Sequence, residues 1–350
     1  MSGAAEDEIR QDCLRSADGI LESLSPLVGR TLAVTGGTGF LGTWIAESVA
    51  ALNDNHGFRI TLHLYGRAPQ TWQERVPHLS AREDIEVRQG DVRTPMDFPS
   101  TCDFIIHAAG TPDNRVHASD ALRVYQTAVF GANNVLDAAT KLDGINRFLL
   151  VSSGLVSAPP SDGQGYVEEA FTVHDPNSFH LAYVDSKRAS ENLAAIYRSE
   201  FRLPVVIARP YTFMGPYQPL DRPWALNNFI RDALMRGEIR LQGDGLVRRS
   251  FLYGSDAAAW TLAALVKGSV GKAYNIGSGR PLPLKQAAES IADAVGPHVR
   301  ISYRNLPPNQ QRHNDFYPDN TRAASELTVT EAIPFEEGLV KTVHWYKARL

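Results

Sequence analysis

From residue 30 onward, short apolar runs alternate with longer stretches in which apolar residues recur at helical spacing. Arg30–Val34 and Arg59–Tyr65 read as strands, separated by helical spacing over Thr43–Leu52 and the turn Asn53–Gly57. Ile85–Arg88, Phe104–His107, Phe148–Val151 and Val205–Ala208 read as further short strands, with a helical region around Ala121–Ala139. Short apolar strands alternating with helices predict a parallel sheet covered on both faces. Ahead of this body, residues 7–25 space Ile9, Cys13, Leu14, Ile20, Leu21 and Leu24 roughly helically, with Gly19 weakening the pattern. Residues 1–27 are therefore read as a structural leader helix on the surface of the body. After Arg209 the rhythm breaks at Pro210, Pro216, Pro219 and Pro223, and turns such as Gly243-Asp244-Gly245 follow. The predicted organisation is a body over residues 28–210 and a smaller, loop-rich cap over 211–350, some of whose segments return to the body.

Composition narrows the function classes. With 43% hydrophobic and 21% charged residues over 350 positions, the chain can bury a core. A net charge of −4 gives no support for a nucleic-acid partner, which usually needs a strongly basic face. Cys13 and Cys102 have no metal-ligand spacing and read as reduced thiols, so no metal is expected. No run approaches the roughly 18 apolar residues of a membrane span. The segment MSGAAEDEIRQD is acidic and lacks the apolar run of a secretory signal, so a cytoplasmic location is expected.

The chemistry starts at Thr35-Gly-Gly-Thr-Gly-Phe-Leu-Gly42, which matches G-x-G-x-x-G between a strand and a helix. Glycines there allow a tight turn and bring backbone N–H groups to a pyrophosphate, with the helix N-terminus adding partial positive charge. The expected ligand is a dinucleotide in a Rossmann unit. An NAD binder usually places Asp or Glu roughly 20 residues further on. Here the second strand ends His63-Leu-Tyr-Gly-Arg67, without an acid. Arg67 either pairs with a 2′-phosphate, which tilts the cofactor toward NADP, or is a solvated loop residue. Further along, Tyr183 and Lys187 fall at i and i+4 on one helix face, where the cation would lower the phenol pKa for acid–base work. Ser152 and Ser153 close the apolar strand Phe148–Val151, at a strand C-terminus where open α/β sheets bind ligands.

TGGTGFLG (35–42), GDV (90–92), HAAG (107–110), VSSG (151–154) and YVDSK (183–187) occur in that order. RPYTFMGP (209–216), GDGLVRRSFLYGSD (243–256), YNIGSG (274–279) and RHND (312–315) follow. On these motifs the chain, from about Thr31 onward, resembles the extended short-chain dehydrogenase/reductase family, within it the nucleotide-sugar epimerase/dehydratase group. The resemblance implies a doubly wound parallel α/β sheet with a C-terminal substrate-binding cap, NAD or NADP as cofactor, and a nucleotide-diphosphate sugar as substrate. It also implies a homodimer through the helices near 120–139 and 182–200, although their apolar residues Val124, Val129, Leu136, Leu193, Ile196 and Tyr197 would serve equally as core. By the same resemblance Gly36, Gly39, Phe40, Leu41 and Gly42 hold the cofactor phosphates, and Asp91 and Val92 meet adenine. Ala108, Ala109 and Gly110 wall the ribose and pyrophosphate, while Tyr211 lies beside the nicotinamide. Lys187 would hold the nicotinamide ribose and tune Tyr183. Arg249 and Arg312 would grip the substrate diphosphate, for which guanidinium forks are suited. The implied reaction is hydride exchange at a sugar carbon, usually C4, with Tyr183 moving the hydroxyl proton and Ser153 steadying the same oxygen.

Four departures bear on the choice of reaction. Dehydrating relatives carry an Asp-Glu pair after the catalytic Ser/Thr, and decarboxylating ones a Glu, where this chain has Gly154 and Leu155. Those reactions would need His180, Glu168 or Glu169 to reach the site, against a plainer reading of the three as surface residues. An Asn on the central helix becomes Ala128, the substrate-phosphate Asn becomes Thr212, and a base-stacking aromatic becomes Gln242. A nucleotide-sugar epimerase is the first expectation and an NADPH-dependent 4-keto-sugar reductase, favoured by Arg67, the second. A dehydratase, or a silent NADP-binding homologue, ranks behind them. Joint retention of Ser153, Tyr183 and Lys187 speaks against silence.

Overall fold

The computed structural model describes residues 3–160, 163–173, 175, 177–304 and 314–350. Helix α1 (Gly3–Asp18) is followed by β1 (Thr31–Thr35), α2 (Phe40–His56), β2 (Thr61–Gly66), the short helices α3 (Pro69–Arg75) and α4 (Pro77–Ser80), and β3 (Ile85–Gln89). Then come β4 (Cys102–His107), α5 (Asn114–Ser119), α6 (Ala121–Thr140), β5 (Arg147–Val151), α7 (Ala182–Phe201) and β6 (Val205–Pro210). The remainder holds β7 (Phe213–Met214), α8 (Ala225–Arg236), β8 (Glu238–Gln242), β9 (Arg248–Arg249), β10 (Leu252–Tyr253) and α9 (Gly254–Lys267). It ends with β11 (Ala273–Ile276), β12 (Leu282–Pro283), α10 (Leu284–Val295), β13 (Arg300–Arg304), α11 (Thr321–Leu327) and α12 (Phe335–Lys347).

Among the described residues, seven strands form one sheet in the order β11-β6-β5-β4-β1-β2-β3, all parallel. The predicted strands are all present, with ends shifted by a residue or two. Such strands are buried on both faces, which is why Leu32-Ala-Val34 and Phe104-Ile-Ile106 carry no alternation. One face is covered by α2 and α9, the other by α6 and α7.

The leader lies on the surface of the body with one face buried. Helix α2 is buried from Gly42 to Leu52, so it needs cover on the side away from the sheet. Helix α1 supplies it: Ile9, Cys13 and Ala17 are buried against α2 and α9, so one face of the leader packs on the core. It stops at Asp18, before Gly19. Asp12 is buried in this seam and bonded to the Lys341 ammonium of α12, which also reaches Glu337 at 3.2 Å. The C-terminal third is less loop-rich than predicted. Helix α9, buried from Gly254 to Leu265, packs on the main sheet and β11 is its seventh strand, so these segments return to the body.

Asp256, in the first turn of α9, is wholly buried and accepts from the backbone N–H groups of Ala332 and Ile333, the latter at 3.0 Å. Burial pushes its carboxyl up to about 6, against those donors and the Ser16 hydroxyl. An acid whose folded pKa is raised contributes stability that is full below its unfolded value and falls away as pH rises through the folded one. Asp256→Asn should therefore gain stability relative to wild type as pH goes from about 4 to about 6, by about 2–3 kcal/mol. Urea midpoints across that window read the difference; a constant difference would mean that the carboxyl stays ionised in the fold.

Candidate active site

At the switch in strand order, β1 pairs with β2 on one side and β4 on the other, leaving a crevice beyond the strand ends. The glycine loop fills its floor. Gly36 has φ +72°, and a Cβ there would stand 2.7 Å from the Ala108 carbonyl oxygen, so the loop lies directly on the chain leaving β4. A Cβ at Gly42 would come within 2.3 Å of the Gly37 oxygen. Gly39 is the exposed residue just before α2, and no side chain caps the first helical N–H groups, at Phe40 and Leu41. These donors and the close-packed loop fit a dinucleotide pyrophosphate.

The other expected cofactor contacts border the same crevice. Arg67 is exposed one residue past β2, and Asp91 lies just past β3. Asp91 is bound at both oxygens by Arg93, the shorter contact being 2.5 Å, and is drawn down to about 2 by that guanidinium, with Arg67 assisting. Val92 is buried and its carbonyl accepts from Asn134 at 2.9 Å. The Ala108 N–H donates to the Thr35 carbonyl at 2.9 Å, which fixes Ala108 and Ala109 beside the loop. Gly110 is the exposed residue that follows.

Ser153, Tyr183 and Lys187 converge where β5 ends and α7 begins. The Lys187 side chain is buried, and its ammonium donates to the Val151 carbonyl at 2.9 Å. Burial lowers its pKa to about 8, opposed by Glu191. For Tyr183 the balance differs from the expectation of a lysine-lowered phenol. Burial raises its pKa above the ordinary tyrosine value, and the facing Ser153 hydroxyl pulls it back. The Ser153 oxygen also accepts from the Leu155 N–H at 3.2 Å. Helix α7 is anchored to the sheet by Arg209, which forks onto Glu191 at 2.9 and 2.7 Å and donates to the Glu168 carbonyl at 2.6 Å.

Behind this group, the Tyr211 ring occupies the space beside Gly154, one of the two positions where the acids were sought, while Leu155 at the other is exposed. A Cβ at Gly154 would lie 2.5 Å from the Tyr211 ring. That ring stacks on Phe316 at 4.7 Å and meets Tyr166 edge-on at 6.2 Å, so it has little freedom to withdraw. The three alternative acids are engaged elsewhere. Glu168 is buried and accepts from the Asn275 N–H at 3.0 Å, Glu169 pairs with Arg322, and His180 is exposed against Phe179. Thr212 is partly buried and its carbonyl accepts from Leu252. Arg249 donates to the carbonyls of Arg248 and Asn314, at 2.9 and 2.6 Å, and burial lowers its pKa. Arg312 lies outside the described residues. Ala128 is buried, where its carbonyl accepts from Ser190, and Gln242 ends β8 in solvent.

Two groups escaped the sequence reading. Phe316 reaches Tyr211 from the far end of the chain. His117 lies flat on Tyr183, and no periodicity links the two positions.

The profile of the NAD dependent epimerase/dehydratase family matches residues 32–277. The chain belongs to this family. It is an enzyme of the extended short-chain dehydrogenase/reductase type, on an NAD-dependent frame. The chain is 26% identical to UDP-glucuronic acid decarboxylase 1 of Xenopus tropicalis, over 92% of this chain and 73% of that one. It is 24% identical to mouse dTDP-D-glucose 4,6-dehydratase, over 91% and 89% of the two chains. The UDP-glucuronic acid 4-epimerase of Bacillus cereus, solved with UDP-glucuronic acid and NAD, shares the fold. Its TM-score is 0.76 at 21% identity, covering 91% of this chain and all of that one. No helix among the described residues of this family member is long and apolar enough to cross a membrane.

Proposed function

We propose that this chain is a nucleotide-sugar epimerase that works by hydride exchange at one sugar carbon, C4 in the family's usual reaction. The observation that carries this reading is the Gly154–Tyr211 packing beside Ser153 and Tyr183. The acids that the resemblance gives to dehydrating and decarboxylating members are replaced here by Gly154, whose Cβ space the Tyr211 ring fills, and by the exposed Leu155. What is left is a phenol, a hydroxyl and an ammonium, which serve proton movement at an alcohol or ketone oxygen.

In this reading Tyr183 takes the hydroxyl proton and later returns it, and Ser153 hydrogen-bonds the same oxygen. Lys187 supplies a buried positive charge beside them. Gly36, Gly39, Phe40, Leu41, Gly42, Ala108, Ala109, Gly110 and Tyr211 would line the cofactor, and Thr212, Arg249 and Arg312 the nucleotide diphosphate. A bound nicotinamide dinucleotide supplies the hydride acceptor and donor. Mass spectrometry of what the purified protein releases tests the reading. NAD with a pair of C4-epimeric sugar nucleotides is expected; an empty site that consumes NADPH with a keto-sugar would replace it by a reductase.

That second reading has one observation in its favour. Arg67 and Arg93 both stand by Asp91 at the sheet end where a 2′-phosphate would lie. Arg67→Ala should then weaken NADP about 10-fold or more and NAD little, as a charged hydrogen bond is worth about 1.5–3 kcal/mol. Equal effects in a binding titration would remove the case for NADP.

The same reading includes a second copy of the chain. Helices α6 and α7 pack together and expose Leu122, Tyr125, Phe130, Ile196 and Phe201, a face suited to an isologous contact. Of the core candidates on these helices, Val124 and Leu136 are buried. Sedimentation as a monomer would remove the proposed contact.

A further inference from the structure

We propose that His117 is a positioning residue for Tyr183, its imidazole setting the direction in which the phenol presents its proton. The proposal rests on the acid–base reading of Tyr183 above.

Tyr183 is the second residue of α7, and no side chain caps that helix end. The two rings lie 4.1 Å apart with planes 13° from parallel, so the imidazole covers one face of the phenol. His117 is itself fixed. Its Nε2 stands 2.6 Å from the Thr111 carbonyl, and since a carbonyl only accepts, the proton is on Nε2 and the ring cannot turn over without losing the bond.

The frame around His117 is built for rigidity. Asp113 caps α5, accepting from the Arg115 N–H at 3.0 Å, while its carbonyl accepts from the His117 N–H at 3.1 Å. Its buried carboxylate is held by the Arg115 guanidinium at 2.7 Å and by Arg222 at 3.1 Å, which keeps it well below the usual carboxylate range. Arg222 comes from the segment between β7 and α8, so the cap side of the molecule pins the turn that carries His117. A hexapeptide helix with no buried residue of its own would otherwise have little to hold it.

The experiment compares His117→Ala, His117→Phe and Tyr183→Phe. Turnover is read with UDP-glucose and UDP-glucuronic acid as probes, cofactor affinity by titration, and ring packing by NMR of 13C-labelled tyrosine, with Tyr183→Phe assigning the signal. His117→Ala should lower kcat about 10- to 100-fold, the penalty of a misdirected reacting group, with cofactor affinity unchanged. It should also shift the Tyr183 signal, whether or not either probe turns over. His117→Phe, which keeps a flat ring over the phenol but loses the bond to Thr111, should restore part of both. Normal turnover or an unmoved signal in His117→Ala would overturn the proposal, as would His117→Phe behaving like the alanine variant. If Tyr183→Phe is inactive while His117→Ala is normal, only this proposal falls; if Tyr183→Phe turns over normally, the acid–base reading falls and takes it along.

Discussion

Tyr183→Phe is expected to cut turnover about 10²–10⁴-fold while cofactor affinity stays within about two-fold of wild type. The phenylalanine ring keeps the stack on His117 and removes only the hydroxyl that faces Ser153. Neither neighbour replaces it. Ser153 has no base of its own beyond the phenol, and the Lys187 ammonium is turned to the Val151 carbonyl. Rates and a cofactor titration on the same preparation check both halves. Turnover at the wild-type rate would sink the mechanism, and loss of cofactor binding would recast Tyr183 as part of the cofactor pocket.

Gly154→Asp should be nearly as damaging, for a different reason. Its Cβ alone would sit 2.5 Å from the Tyr211 ring, and Phe316 and Tyr166 block the ring's retreat. Overpacking of this kind costs about 1–3 kcal/mol, and the new carboxyl adds a charge among buried groups. The chain should melt several degrees lower, and turnover should fall about 100-fold as the Ser153 segment is displaced. Adding Tyr211→Ser opens space and should return part of the stability, so the two changes are non-additive. Thermal melts of the single and double variants decide it: an unshifted melt for Gly154→Asp would show that the ring has room and would reopen the decarboxylase and dehydratase readings.

The parts of the fold that were legible in the sequence are those whose residues speak locally. Strands buried on both faces are unbroken apolar runs, and β1, β4, β5 and β6 were visible for that reason. Strand β11 was not, because Asn275 interrupts its run; the side chain is committed to the carbonyls of Tyr166 and Asp319, a role set by distant residues. Helix α9 is buried on every side from Gly254 to Leu265, so it has no solvent face to give an amphipathic period. In the site, Tyr183 and Lys187 declared themselves through a spacing of one helical turn. His117, Asp113 and Arg222 have no such spacing, since their contacts arise only once α5 meets the start of α7 and the segment between β7 and α8. The sign of the Tyr183 shift was equally unreadable, because it follows from burial and from which way the lysine points.

The seam between α1 and α12 has a consequence for the order of events in folding. Asp12 is synthesised 329 residues before the ammonium that neutralises it. Until Lys341 emerges, docking α1 on α2 would bury an uncompensated carboxylate, so early closure of the seam is disfavoured until synthesis has passed α12. Two segments far apart in the chain thus complete each other's burial. That late, long-range step makes the N-terminal half dependent on the C-terminal third for its final state. In a cell, the exposed outer face of α2 is then the surface a chaperone would meet on the nascent chain.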